Sequence, residues 1–346
     1  MKFVLLVIAV IIAMVAAAPL SEDQYQFLFT RYVQQYNKQY ETNDFFSRFN
    51  TFKSNLNKII AHNASSGQSW TMGVNKFADL TPVEFHKTLG FRSIKANLRA
   101  DPEGPQCDVQ SACTFKANVQ EIDWRNYKGD NYVNGVKDQG QCGSCWAFSA
   151  VQALESQTKI VTGVLPTLSE QQLVDCANGD WGNGGCDGGL MDLAYAFYSK
   201  GGYSACSSQS YPYTGRDGKC QQDSCDKIVS VAGCTYTKPG VEGHVTQLQT
   251  GPIAVALSAS FSMQFYSGGL FTDCSSKDLN HGVGLVGYLP NKFDRPAYII
   301  RNSWGSSWGD KGYIYLNAAE GVDCLGVDTT AAVQDLMGNS QPIVKA

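Results

Sequence analysis

Charge is scarce in this chain. Of its 346 residues only 17% are Asp, Glu, Lys or Arg, and the net charge is −4. No basic stripe is present, which leaves little to neutralise a phosphate backbone and argues against nucleic-acid binding. Low charge with 43% apolar residues fits a folded globule rather than a disordered chain. No repeat of fixed period occurs, which excludes solenoid and propeller arrays. Beyond the first 20 residues no stretch is long and apolar enough to span a membrane. Histidine is rare, with four in the chain, so any chemistry that needs imidazole has few candidates.

The N-terminus reads MKFVLLVIAVIIAMVAAAPL, one Lys, an apolar run and then Ala16, Ala17 and Ala18. That order is a signal peptide over residues 1–18. The competing reading is an uncleaved anchor, for which the run is on the short side. An exported chain meets oxidising conditions, so its 12 cysteines should be mostly paired. The length allows two compact domains plus extra segments.

In DFFSRFNTFKSNLNKIIAHN, residues 44–63, Phe45, Phe49, Phe52, Leu56 and Ile59 recur at helical intervals and predict an amphipathic helix. Thr81, Pro82 and Glu84 predict a boxed helix start. Residues 92–117 lack apolar periodicity and read as an exposed connector. Beyond about residue 118 the first half is helix-rich: CWAFSAVQALESQ, a capping box at Ser169 to Gln172, and GLMDLAYAFYSK closed by Gly201 and Gly202. The second half turns to short β-branched and aromatic runs such as PIAVALSA, HGVGLVGYL, AYIIRNSW and KGYIYLNA. A helical lobe followed by a strand lobe suggests a cleft between them.

Cys142 and Cys145 stand three apart in QGQCGSCWAFSA. They admit three readings: a redox pair, half a zinc site with Cys220 and Cys225, or one structural thiol beside one reactive thiol. No redox-fold pattern surrounds them, and Trp-Ala-Phe after Cys145 continues as helix. A nucleophilic Cys145 needs a base. His62 and His86 lie ahead of the connector. His244, in KPGVEGHVTQ, reads as an exposed turn residue, which leaves His281 at the entry to a strand. Asn302, followed by Trp304 and Trp308, could orient that imidazole in a dry setting.

QGQCGSCWAFS, LNHGVGLVGY and RNSWGSSWGDKGY resemble the three active-site blocks of the papain-like cysteine peptidases. Arg48, Phe52, Asn55, Ile59 and Asn63 resemble the ERFNIN helix of cathepsin L-like proregions, with Asp44 where that family has Glu. Gly73, Asn75, Phe77 and Asp79 resemble its GxNxFxD motif. The resemblance runs from about residue 21 to about 330. It implies an α+β, two-lobe papain-like fold, with a helical left lobe, a β-barrel-like right lobe and the active-site cleft between them, behind a helical inhibitory proregion. The implied division is a signal peptide (1–18), an inhibitory propeptide (19–117) and a mature peptidase domain (118–346). Within the last, the helical lobe is about 118–226, the strand-rich lobe about 227–330, and 331–346 a loose tail.

The resemblance makes Cys145 the nucleophile, His281 the base, Asn302 its orienter and Gln139 the oxyanion donor beside the Cys145 N–H. One such donor is commonly worth about 3 kcal/mol in the transition state. The position of Cys145 at a helix start, with His281 as imidazolium, should depress the thiol pKa. Implied disulfides are Cys142–Cys186, Cys176–Cys220 and Cys274–Cys324; the pairing of Cys107, Cys113, Cys206, Cys225 and Cys234 stays open. Gly188 and Gly189 would dock the substrate backbone. Leu190, Met191, Ala256, Leu279 and Gly282 would line an apolar second subsite, with Trp304 beside the site; Leu190 and Met191 also read as plain helix core. Asn63-Ala-Ser65 is a glycosylation sequon.

The implied function is a cysteine endopeptidase made as a zymogen, active in acid, preferring a bulky hydrophobic P2 residue, without cofactor or metal. Its partners would be protein and peptide substrates, its own propeptide and cystatin-type inhibitors. It would be a monomer without a membrane anchor once the signal is removed, in the lysosome or outside the cell. The alternative is an inactive homologue serving as a secreted binding or inhibitor protein. The intact set Gln139, Cys145, His281 and Asn302 separates the two.

Overall fold

The computed structural model describes residues 20–91, 121–328 and 331–335. The expected signal segment and the connector bearing Cys107 and Cys113 lie outside the described residues.

Helix α1 (Glu22–Gln35) begins with a reciprocal capping box between Ser21 and Gln24. Helix α2 (Thr42–Ala64) buries Phe49, Phe52, Leu56 and Ile59 against Leu28, Phe29 and Tyr32. Phe45 departs from the expected stripe and stays 43% exposed, because at the first turn it lies at the margin of the cluster, where Phe29 and Tyr40 reach it edge-on at 5.4 and 6.4 Å. Strand β1 (Trp70–Met72) follows, then α3 (Pro82–Lys87), whose Thr81–Glu84 box forms in both directions as expected.

The second region opens with β2 (Ile122–Asp123) and three helices: α4 (Cys145–Thr162), α5 (Glu170–Cys176) and α6 (Met191–Ser199). Gly163, at φ +80°, ends α4. Only half of the expected Ser169 box forms. The Gln172 side chain turns instead to the Ser204 carbonyl and the Cys206 N–H, backbone groups that need partners more than the cap does. Strands β3 (Ser204–Cys206) and β4 (Lys227–Ser230) pair antiparallel.

The rest is β5 (Gly233–Tyr236), α7 (Val241–Leu248), β6 (Ile253–Leu257), α8 (Phe261–Gln264), β7 (Tyr266–Phe271), β8 (His281–Leu289), β9 (Ala297–Arg301), β10 (Tyr313–Asn317) and β11 (Ala331–Asp335). These strands form one sheet in the order β1-β7-β10-β9-β8-β6-β11-β5, with β2 also pairing β8. Only β7–β10 is parallel among its pairs. The class is α+β, as expected.

Two expectations need correction. Residues 331–335 are not a loose tail; they form β11, which bridges β5 and β6 and satisfies backbone groups both would otherwise expose. His244 is fully buried on α7, where Asp328 holds its Nδ1 at 3.2 Å. Strand β1 from the N-terminal region adds to the edge of the strand lobe along Trp70↔Gly269 and Thr71↔Gly268.

Cys142–Cys186, Cys176–Cys220 and Cys274–Cys324 are bonded, and Cys206–Cys225 is a fourth pair. Cys234 is disulfide-bonded too, with a partner outside the described residues. Loops of 44 to 50 residues closed this way are each worth about 4 kcal/mol in the chain-entropy picture.

Candidate active site

Cys145 is the first residue of α4, His281 the first of β8, and Asn302 follows β9 directly. The placement is a consequence of packing: α4 lies across β8, and β8 pairs with β9. The Cys145 sulfur accepts the Gly282 N–H at 3.3 Å, which holds the thiol beside the residue that follows His281. His281 Nε2 donates to Asn302 Oδ1 at 2.8 Å. That bond leaves Nδ1 as a bare acceptor, buried and unpartnered. The ring stacks on Trp304 at 4.7 Å, and Trp304 meets Trp308 edge-on at 4.9 Å.

Gln139 is fully buried. Ser303 Oγ donates to its Oε1 at 2.6 Å, which turns the amide nitrogen toward the cleft. Sequence reasoning missed Ser303, since a serine between Asn302 and Trp304 carries no signal of its own. It also missed Tyr213, whose hydroxyl donates to the Gln139 carbonyl at 2.8 Å, and Asn183, which holds the Leu190 N–H.

The cleft is filled by the chain's own residues 88–91. Gln139 Nε2 donates to the Thr88 carbonyl at 3.0 Å. The Gly189 N–H donates to the Gly90 carbonyl at 2.8 Å, and the Phe91 N–H to the Asn280 carbonyl at 3.1 Å. Gly90 has no room for a side chain: a Cβ there would lie 1.6 Å from the Gly143 carbonyl oxygen. Gly189 is equally confined, by Asn183 and the Trp146 ring. Phe91 bridges Gly189 in parallel sense. Its side chain packs against the cluster that holds Met191, Ala256 and Leu279.

The expected subsite residues thus divide. Met191, Ala256, Leu279 and Gly282 gather around one apolar wall, with Met191 Sδ 3.2 Å from where a Gly282 Cβ would stand. Leu190 is buried but outside that cluster. Gly188, at φ +108°, forms the turn before Gly189. Trp304 belongs to the other core, where Phe77 and Phe85 cover it at 5.3 and 5.4 Å. Asn63 exchanges hydrogen bonds with both backbone groups of Met72, so the sequon asparagine also ties α2 to β1.

Burial inverts the expected ionisation. The Cys145 thiol is pushed up to about 11 by desolvation, against the N–H groups of Gly282 and Gly90 that favour the thiolate. Desolvation also lowers His281 to about 4, partly offset by Asn302. Under this cover both groups are neutral, where the bare sequence predicts an ion pair. No cluster of His, Cys, Asp or Glu among the described residues could hold a metal ion.

Two family descriptions match. Residues 118–334 match the papain family cysteine proteases, and residues 29–85 the cathepsin propeptide inhibitor domain. A cathepsin L-like protein of Caenorhabditis elegans is 36% identical over 346 residues, covering 96% of this chain and 98% of its own. Ananain of Ananas comosus is 36% identical, over 91% of this chain and 89% of its own. Digestive procathepsin L 3 from the larval midgut of Tenebrio molitor superposes with a TM-score of 0.78 at 33% identity, over 90% of this chain and 99% of that one.

Proposed function

From the premise that this chain belongs to the papain family of cysteine proteases and carries a cathepsin-type propeptide, we propose that Cys145 and His281 perform acyl transfer on peptide bonds once residues 88–91 leave the cleft. The observation that carries the reading is the His281–Asn302 bond beside the Cys145 thiol, with Gln139 Nε2 turned to the Thr88 carbonyl.

In the uncovered site the solvated pair ionises: the Cys145 proton passes to His281 Nδ1, and the α4 N-terminus favours the thiolate. The thiolate adds to the substrate carbonyl carbon. The oxyanion takes the place now held by the Thr88 carbonyl, facing Gln139 Nε2, with the Cys145 N–H as second donor. Collapse of the tetrahedral intermediate breaks the C–N bond, and His281 gives its proton to the departing amine. Water, deprotonated by His281, then hydrolyses the thioester and returns the thiol. Asn302 keeps Nδ1 turned to the sulfur throughout, and the Trp304 ring shields that bond from water.

Phe91 supports a specificity. The propeptide places the Phe91 ring against the apolar cluster to which Met191 and Ala256 belong and on which Leu279 packs, so the same wall suits a bulky hydrophobic P2 side chain. A substrate would run opposite to the parallel Phe91–Gly189 pairing, which explains why residues 88–91 are held and not cut. An inactive homologue would have no use for an intact thiol, base and amide beneath a removable cover. The exported, disulfide-bonded chain fits a secreted or lysosomal protein.

The test is a peptide library profiled with mature enzyme and with the Cys145→Ser variant. Leu or Phe at P2 should be cleaved about 10²-fold faster than Arg, since the apolar wall offers a guanidinium no partner. The variant should lose activity by several orders of magnitude and resist a thiol-directed epoxide. An active Cys145→Ser, or equal rates for Arg and Leu, would refute the assignment.

A further inference from the structure

Arg301 ends β9, one residue before Asn302, and is 3% exposed. No carboxylate among the described residues forms an ion pair with it. Its terminal nitrogens donate instead to neutral acceptors, Nη1 to Gln152 Oε1 at 2.8 Å and Nη2 to the Gly135 carbonyl at 2.5 Å. Its Nε is buried without a partner. A guanidinium in that setting is expensive, and a residue of lower cost could fill the space.

The groups it joins are not arbitrary. Gln152 lies on α4 seven residues after Cys145, two turns along the same face. Between them Ser149 donates to the Val283 carbonyl at 2.6 Å. Cys145, Ser149 and Gln152 therefore meet Gly282, Val283 and Gly284 of β8 in succession. Gly284 makes room for the last contact: a Cβ there would lie 2.1 Å from Gln152 Nε2. Gly284 is also the cross-strand neighbour of Arg301. Gly135 stands four residues before Gln139, in a segment held further by Lys137, whose Nζ reaches Glu155 and Glu170.

We propose that Gln152 and Arg301 form an interlobe clasp that sets the thiol's helix, the imidazole's strand and the oxyanion amide in one frame. Both are positioning residues; neither touches substrate. The planar fork of arginine suits the task because it fixes two acceptors at a set angle, which a lysine ammonium does not. The inference rests on Cys145 and His281 being the reacting pair.

The experiment compares mature wild-type enzyme with Gln152→Ala and Gln152→Glu. Gln152→Ala should lower kcat about tenfold and leave KM within about twofold, since misplacement near 1 Å can cost up to about 10² in rate. Alkylation of Cys145 by iodoacetamide should slow in parallel. Gln152→Glu restores an acceptor for Arg301 and should recover most of kcat. A fully active Gln152→Ala, a loss confined to KM, or a Gln152→Glu as impaired as the alanine variant would each overturn the clasp. A wild-type enzyme that cleaves no peptide would overturn the peptidase reading instead, and the clasp with it.

Discussion

Residues 20–91 and residues 121–328 bury their polar groups by different means. The first region contains no cysteine. Its centre is the Asp79 carboxylate, 2% exposed, which accepts from Tyr32 at 2.5 Å, Tyr40 at 2.8 Å and Lys38 at 2.9 Å. Arg48 reaches only the Asp79 backbone carbonyl and pairs with Glu84 at 2.7 Å. The second region is crossed by disulfides, and its buried charge is a mixed cluster. Burial raises the Glu170 carboxyl; Lys137 is also raised, because Glu155 and Glu170 outweigh its desolvation. The second region is fastened covalently, whereas the first is fastened by side-chain hydrogen bonds and ion pairs. The seam between them combines apolar contacts, Phe77 and Phe85 on Trp304, with strand pairing of β1 on β7, Asn75 on the Gln264 carbonyl at 2.7 Å and the Lys76–Asp138 ion pair at 2.5 Å.

The largest effect that would sharpen this contrast is acid release. Covered His281 titrates near 4. Opened at neutral pH, thiolate and imidazolium together carry one proton, the same number as the covered thiol and imidazole. As pH falls through the thiolate's value the opened pair takes up a second proton, which covered His281 refuses until about 4, so acid favours the open state over that window. Zymogen held at about pH 4–5 should lose its N-terminal segment and gain activity, followed by mass and peptide hydrolysis. Full activity at neutral pH with that segment intact would break the comparison.

A smaller effect is expected from Asp79→Asn. It removes the charged acceptor of three donors and leaves Lys38 unpaired, at about 1.5–3 kcal/mol for a charged hydrogen bond. The propeptide should dissociate at higher pH, while the melting temperature of the mature enzyme stays unchanged. A variant with the wild-type pH profile would clear Asp79 of any part in holding the cover.

Glu84→Gln should do least. The Glu84 carboxyl sits below its ordinary value: burial opposes, but Arg48 and the Thr81 cap prevail. Its contribution is present above the unfolded pKa and fades as pH falls through the lower folded value. It acts below about pH 4.5, at the acid end of the window in which His281 acts. As a partly exposed ion pair it is worth up to about 1 kcal/mol. A shift in release pH as large as that of Asp79→Asn would refute this ranking.

Much of the architecture was legible. The apolar stripe of α2 and the Thr81 box follow from local periodicity and capping, and β8, β9 and β10 from β-branched runs between turns. The resemblance located Cys145, His281, Asn302 and Gln139, which the fold then brought together. Other features had no local signal. Trp70–Met72 is too short to read as a strand and becomes one only against β7. His244 looks like a turn residue until α7 forms and Asp328, 84 positions away, packs on it. Cys206 and Cys225 are two of five cysteines with equal claims until the β3–β4 hairpin sets them face to face.

By itself the sequence determined which side chains could carry chemistry and which segments could be helix or strand, because those properties depend on residue type and on neighbours within a few positions. The tertiary structure alone decided how those groups are charged and what covers them. The dipole at a helix start favours a thiolate at Cys145, and that much is local. The Thr88–Phe91 backbone excludes the water that would solvate an ion pair, and desolvation outweighs the dipole. Solvent exclusion belongs to surfaces that meet from distant parts of the chain, so no window of sequence contains it.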